Sequence, residues 1–251
     1  IENIYHLSEL LQRLEYDPRR FIIRGTPHAE SDLQRPVLRR MHRESQPDFN
    51  QHPFVDEPLP WVMIDIDKLP TPEGMNVIDS PFDAAQHAIN LLPEEFHDTS
   101  YFWQLSASAG ISDSTALSIH LWFWLDTPTT SMGLREWSKK VNLTTGQKII
   151  DPALYNPVQP HYTAAPLFSD ELEDPLSQRS DFVQCTNDSL SLVVDIEVPE
   201  ELQSEAIKAR TGTSQTFRSG VHGFENILNE MGDHQDGDGF YNPLLRATAS
   251  Y

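Results

Sequence analysis

Asp65-Ile66-Asp67 closes the apolar run Trp61-Val62-Met63-Ile64, and its residue types carry the sharpest chemistry in the chain. Side chains at i and i+2 of a strand share one face, so the two carboxylates point the same way about 6.5–7 Å apart along the backbone. Adjacent anions repel, and an apolar strand has no structural use for them. A divalent cation removes the repulsion, and an all-oxygen donor set favours Mg²⁺ or Mn²⁺ over Zn²⁺. Such carboxylates can hold two ions about 3.5–4 Å apart, a spacing that activates an attacking hydroxyl and neutralises a pyrophosphate leaving group. An edge strand with a solvated polar face would carry the same pair. Because Val62, Met63, Ile64 and Ile66 make the strand apolar on both faces, the metal reading is favoured.

His120 stands inside Leu117-Ser-Ile-His-Leu-Trp-Phe-Trp-Leu125, with Ser118 on the same strand face. Hydroxyl and imidazole together offer two donors toward an anion, although a lone histidine in an apolar strand also serves as a satisfied core residue. Upstream, Ser106-Ala107-Ser108-Ala109-Gly110 supplies hydroxyls and accessible backbone N–H groups, a composition suited to close phosphate approach. No GxxxxGK[ST] string occurs, which excludes a P-loop protein. Asp151 ends the Ile149-Ile150 run and precedes Pro152. Taken alone it reads equally well as a helix cap or a turn aspartate.

The elements that must position these groups follow from periodicity. Ile4, Leu7, Leu10, Leu11 and Leu14 predict a helix over 5–16, stopped at Asp17-Pro18. A short strand at 21–23 precedes an excursion over 25–60 that carries Pro27, Pro36, Pro47, Pro53, Pro58 and Pro60. Strands are expected at 61–67, 101–105, 117–125, 148–151, 182–184 and 190–194, and helices at 83–92 and 130–141. Strands in hairpins with helices between them favour an α+β fold over a parallel sheet. The character changes near 198, dividing the chain into a domain over 1–198 and a helical segment over 199–251. In that segment His222, His234, Asp236 and Asp238 lack the glutamate of a calcium loop and read as a polar connector.

The order of motifs is more specific than any one of them. Ile64-Asp65-Ile66-Asp67, then Ser118-Ile119-His120, then Ile150-Asp151 resembles the signature of the archaeo-eukaryotic primase superfamily, the primase-polymerases. The flanks Ile22-Ile23-Arg24-Gly25, Ser106–Gly110 and Asp151–Pro166 resemble the primase domains of phage, plasmid and integrative-element replication proteins. The resemblance spans about residues 20–170. It implies an RRM-like antiparallel catalytic sheet flanked by helices, performing metal-dependent transfer of a nucleotide from a (d)NTP to a 3′-hydroxyl on a DNA template and primer. It also implies that Asp65, Asp67 and Asp151 hold two Mg²⁺ or Mn²⁺ ions, and that Ser118 and His120 bind the nucleotide's phosphates with help from Ser106 and Ser108. Arg24 would meet the template or phosphates. Where relatives often carry arginine this chain has Gln159-Pro-His-Tyr162, leaving His161 as the substitute.

Charge and composition set the remaining limits. Of 251 residues 38% are hydrophobic and 22% charged, a soluble globular balance, and no apolar run approaches the roughly 18–20 residues of a membrane span. The formal net charge is −20, yet residues 1–43 carry eight basic against six acidic residues. This acidic body suggests that strong DNA grip comes from another domain, a helicase beyond Tyr251, and the start at Ile1 with an end inside an apolar helical pattern suggests a piece of a longer chain. A single cysteine, Cys185, excludes an internal disulfide and points to a reduced cytoplasmic setting. Two other functions use the same residues: a non-catalytic replication-initiator module gripping DNA through Arg19–Arg43, and a metal-dependent nuclease.

Overall fold

In chain order the protein forms α1 (Ile4–Leu14), β1 (Phe21–Ile22), β2 (Thr26–Pro27), β3 (Phe54–Val55), β4 (Leu59–Pro70), α2 (Pro81–Asn90), β5 (Tyr101–Leu105), β6 (Ala116–Thr129), α3 (Ser131–Thr145), β7 (His161–Tyr162) and β8 (Ser180–Val183), with single 3₁₀ turns at Glu94–Phe96 and Pro152–Tyr155. The computed structural model describes residues 1–34, 36–43, 48–111, 113–169 and 171–194. The expected helical segment over 199–251, with its histidines and aspartates, lies outside the described residues.

The fold is α+β. Its main sheet has the order β4-β6-β5-β8, antiparallel throughout, while β1 pairs with β7 and β2 with β3 in two small ribbons. Because β4 and β5 both pair with β6, the unit β4-α2-β5 is a βαβ split by an intervening strand. Alternation assigns each residue to a face. Val62, Ile64 and Ile66, with Leu117, Ile119, Leu121 and Phe123 and with Trp103 and Leu105, are almost wholly buried on one face. Phe96 meets Phe123 edge-on at 4.9 Å and Trp137 of α3 at 5.9 Å there, so the helical side of the sheet is sealed by aromatic packing. Each such side chain contributes roughly 1.5–3 kcal/mol through burial.

The opposite face carries Trp61, Met63 and Asp65 of β4, Ser118, His120 and Trp122 of β6, and Phe102 and Gln104 of β5. Part of it is covered: Tyr5 of α1 packs on Phe182 at 5.3 Å, and Tyr155 donates its hydroxyl hydrogen bond to Met63 O at 3.1 Å. Helix α1 starts where the Asn3 side chain accepts the His6 N–H at 2.9 Å, and buries Ile4, Leu7, Leu11 and Leu14. Helix α3 is capped twice, by Thr130 on Gly133 N–H and by the Asp56 carboxylate, which accepts from Ser131 N and Met132 N at 2.9 and 3.0 Å. The proline-rich excursion thereby fixes the start of a core helix.

Two expected strands do not form. At 148–151 the Asn142 side chain takes a strand's place, accepting from Ile149 N and Ile150 N at 3.0 Å each and donating to Ile150 O at 2.6 Å. At 190–194 pairing stops after the single bridge of Leu190 to Leu125. Among the described residues, no helix is long and apolar enough to cross a membrane.

Candidate active site

Register brings the first two motifs together. Asp65 lies directly opposite His120, with His120 Nε2 3.5 Å from Asp65 Oδ1. The pairing is regular to Ile66↔Ile119 and resumes at Leu69↔Leu117, so Asp67 and Lys68 together face Ser118. That is a bulge with one extra residue, a device that re-aims side chains and ends regular pairing. Ser118 holds both strands of it: its hydroxyl donates to Asp67 Oδ1 at 2.6 Å and accepts the Lys68 N–H at 3.0 Å. Lys68 sits at φ +54°, a left-handed conformation that costs a non-glycine residue about 1 kcal/mol or more. Local strain and the Asp-x-Asp motif coincide.

The electrostatics follow from partial burial. Burial pushes the Asp65 carboxyl above its ordinary range; nearby His120 opposes this, while the charges of Asp67 and Asp151 push the same way. Burial pushes the His120 imidazole below its ordinary value, against the pull of Asp65 and Asp67. The ring is therefore neutral at pH 7, and the 3.5 Å approach is not a full ion pair. Asp151 accepts the Ala153 N–H at 3.2 Å as the cap of the 3₁₀ turn and lies 3.8 Å from Lys148 Nζ. The reading as a cap thus applies, and the charge of this residue also reaches Asp65.

The charges of Asp67 and Asp151 both reach Asp65, and carboxylate oxygens are the donors that Mg²⁺ and Mn²⁺ prefer. In that chemistry Asp65, Asp67 and Asp151 suit the two ions the resemblance implies. Their present positions are not a closed cage: among the described residues no group of three or more His, Cys, Asp or Glu side chains gathers closely enough to hold an ion. Asp67 is engaged by Ser118, and Asp151 by its own turn.

The serine loop borders the same bulge. Ser106 N–H bonds to Ser118 O at 2.9 Å, and the Ser106 and Ser108 hydroxyls lie 3.2 Å apart. A cleft of about 380 Å³ opens between Lys68, Ser108, Thr115 and Ser118, with Pro70, Ala109, Asp113 and Ala116 completing its walls. Gly110 turns the loop at φ +74°, where a Cβ would stand 3.2 Å from Leu176. Arg179 anchors the loop from below: 7% exposed, it grips Asp174 with two nitrogens and donates to Ser106 O at 3.1 Å.

Two expected contacts need correction. Arg24, read as a DNA or phosphate ligand, is 1% exposed. Its guanidinium donates to Trp61 O, Thr129 O and Ser131 Oγ and lies 4.8 Å over the Trp61 ring, so it pins β4 to the junction of β6 and α3. His161, read as a substitute phosphate ligand, is 2% exposed against the Trp61 and Trp122 rings. Burial pushes its imidazole down to about 3, with His120 and Arg24 adding to the effect, so it stays neutral. Sequence reasoning missed Lys68 and Arg179. Lys68 adjoins Asp67 and was legible as a cation beside the motif; Arg179, in an irregular stretch, gave no signal.

Comparison of the chain with protein-family models, curated proteins and solved structures returns no match.

Proposed function

We propose that the protein is a primase-polymerase, a nucleotidyltransferase that adds (d)NTPs to a DNA 3′-hydroxyl. One observation carries this reading. Two motifs, Asp65-x-Asp67 and Ser118-x-His120, meet on one sheet face, with Asp65 across from His120 and Asp67 bonded to Ser118. The split βαβ unit and antiparallel order support an RRM-like catalytic sheet, with the reacting groups on its less covered face. Alternative uses of the same residues account less well for a lysine and hydroxyls set beside paired carboxylates.

In the reaction, the 3′-hydroxyl oxygen attacks the α-phosphorus, the bond to pyrophosphate breaks, and the hydroxyl proton is lost. Bound Mg²⁺ or Mn²⁺ would lower the hydroxyl's pKa and neutralise charge on the phosphates. The chain itself supplies alignment and electrostatics. Lys68, Ser108 and Ser118 line a cleft with room for phosphates, and Lys68 brings the charge. His120, neutral at pH 7, donates a hydrogen bond to a phosphate oxygen without repelling the bound cations. Asp65, on the same strand face as Asp67 and opposite His120, would hold the ions, and the hydroxyl proton passes to solvent.

The test is extension of a labelled primer–template with Mn²⁺ or Mg²⁺. Wild type should incorporate nucleotide and release pyrophosphate, and Asp67→Ala should abolish incorporation while the fold stays intact. A variant that extends at the wild-type rate sinks the assignment of Asp67. Released mononucleotides instead of pyrophosphate would mark a nuclease; DNA binding indifferent to EDTA, with no extension, would mark an initiator module.

A further inference from the structure

We propose that the outer face of the β1–β7 ribbon is a stacking platform for the bases of a single nucleic-acid strand, with Phe21 and Tyr162 receiving bases and Arg39, Arg40 and Arg43 meeting phosphates. The ribbon pairs Phe21 with Tyr162 and Ile22 with His161. Alternation sends His161 inward onto Trp61 and Trp122, and leaves Phe21 44% and Tyr162 66% exposed. Their rings stand 5.9 Å apart at 64°, and the Arg39 guanidinium lies 5.8 Å over Phe21. A carbonyl, Val158 O, accepts from Arg39 and holds it at that ring. Two aromatic rings side by side in water, with an arginine posted on one, contribute little to the core. Their flat faces suit bases, each of which offers a π-face whatever its identity.

Charge selects the partner. Residues 17–43 carry seven arginines and three acidic residues, a net of +4, so the other residues carry −24 of the chain's −20. Arg24 is buried, but Arg19, Arg20, Arg39, Arg40 and Arg43 are exposed; Arg19 and Arg20 precede Phe21 in the chain and Arg39 lies over its ring. Arg19 and Arg20, which flank Phe21, also pair with Asp17 at 3.6 and 3.0 Å. A polyanion is repelled by the rest of the chain and finds attraction here. An acidic peptide would satisfy the arginines and leave the rings unused, whereas a nucleic-acid strand uses both.

Position ties the platform to the site. His161, the inward neighbour of Tyr162, packs on Trp61 of β4 and Trp122 of β6. Those strands carry Asp65 and His120 on the same face a few residues on. A strand bound at the platform therefore runs beside the reacting groups. That it is the template rests on the function proposed above; that it binds at all does not.

The experiment measures fluorescence anisotropy in EDTA, without nucleotide, using a labelled oligothymidylate and an abasic strand of the same length. Phe21→Ala and Tyr162→Ala should each weaken thymidylate binding roughly 5- to 100-fold, the range that base–aromatic stacking supplies. Neither should change abasic-strand binding, and Tyr162→Trp should keep wild-type affinity. Replacing Arg39 and Arg40 by Gln should weaken both strands and reduce the salt slope by about 1.4. Circular dichroism and thermal midpoints verify folding, which exposed rings leave intact. The inference is overturned if wild type binds neither strand, if the ring variants bind thymidylate like wild type, or if they lose both strands equally. Because no metal or nucleotide enters the assay, a protein that extends primers with unaltered strand binding refutes the platform and leaves the transferase standing. A working platform on a protein that transfers nothing does the reverse.

Discussion

Asp65→Asn should stabilise the metal-free protein, an unusual sign for a substitution in a strand of the main sheet. Asp65 keeps a 34% exposed side chain, faces a neutral His120, and shares its strand face with Asp67. At about 7 Å, two unit charges repel by about 0.6 kcal/mol in water and about 2.4 kcal/mol at an effective dielectric of 20. Asp67 is exposed, which favours the lower part of that range, and Asp151 adds a weaker push; about 1 kcal/mol is the expected gain. Asparagine keeps the shape and removes the charge. In a chain of this size, that gain raises the thermal midpoint by about 2–4 °C. The pH sign is fixed by the upward shift. A carboxyl raised in the folded state costs stability when ionised, so the advantage is full at pH 7.5 and fades as pH falls toward the unfolded value near 4. Thermal unfolding in EDTA measures it. Adding Mn²⁺ should then invert the order, because ligand at about 100 times its Kd stabilises the wild type by about 2.7 kcal/mol and the variant by much less. If Asp65→Asn melts below wild type in EDTA, the repulsion is not there and the carboxylate pair has a structural use after all.

Two further outcomes follow from buried cations and rings. Arg24→Met should cost about 3–5 kcal/mol in urea unfolding, since Trp61 O, Thr129 O and Ser131 Oγ all lose their donor. Arg24→Lys should recover only part of that, because one ammonium cannot span the fork. His161→Phe should move the acid-unfolding midpoint, followed by circular dichroism, to lower pH. The folded imidazole is pushed down to about 3, so its contribution is full above about 6.5 and is lost as pH falls between those values. An unchanged midpoint would mean that His161 is protonated without unfolding.

How much of this was legible in sequence depends on the range of the interaction. Strand period alone placed Asp65 with Asp67, and Ser118 with His120, on shared faces, because alternation is a local property of extended backbone. The opposition of Asp65 and His120 was not legible, since β5 and α2 intervene in the chain and register is set by the packed sheet. Nor was the bulge: nothing about Lys68 as a residue type announces a left-handed backbone, which is imposed by fitting two residues opposite Ser118. Arg24 misled for the same reason. Arginine is read as surface by composition, and only the fold reveals two carbonyls and an indole awaiting a cation. The expected strand at 148–151 failed because apolar β-branched residues look alike whether a neighbouring strand or the Asn142 amide completes their hydrogen bonds.

The positions of Asp65 and His120 within their strands account for the upward shift of the one and the downward shift of the other. Along the site face of β4, Trp61 and Met63 are buried, Asp65 is partly exposed, and Asp67 is open to water. Along β6 Trp122 is fully buried, His120 keeps a 17% exposed side chain, and Ser118, 7% exposed, borders the cleft. Asp65 and His120 therefore stand where the covered half of the sheet meets solvent. A group one pair deeper would be too costly to charge. At the boundary, a carboxylate stays ionisable but basic and an imidazole stays neutral at pH 7 yet able to donate. Moving that boundary should move both groups together: Met63→Ser, which would wet the strand one pair deeper, should bring the Asp65 and His120 titrations, read by NMR, back toward their ordinary values. Titrations that stay where they are when the strand is wetted would show that burial does not set them.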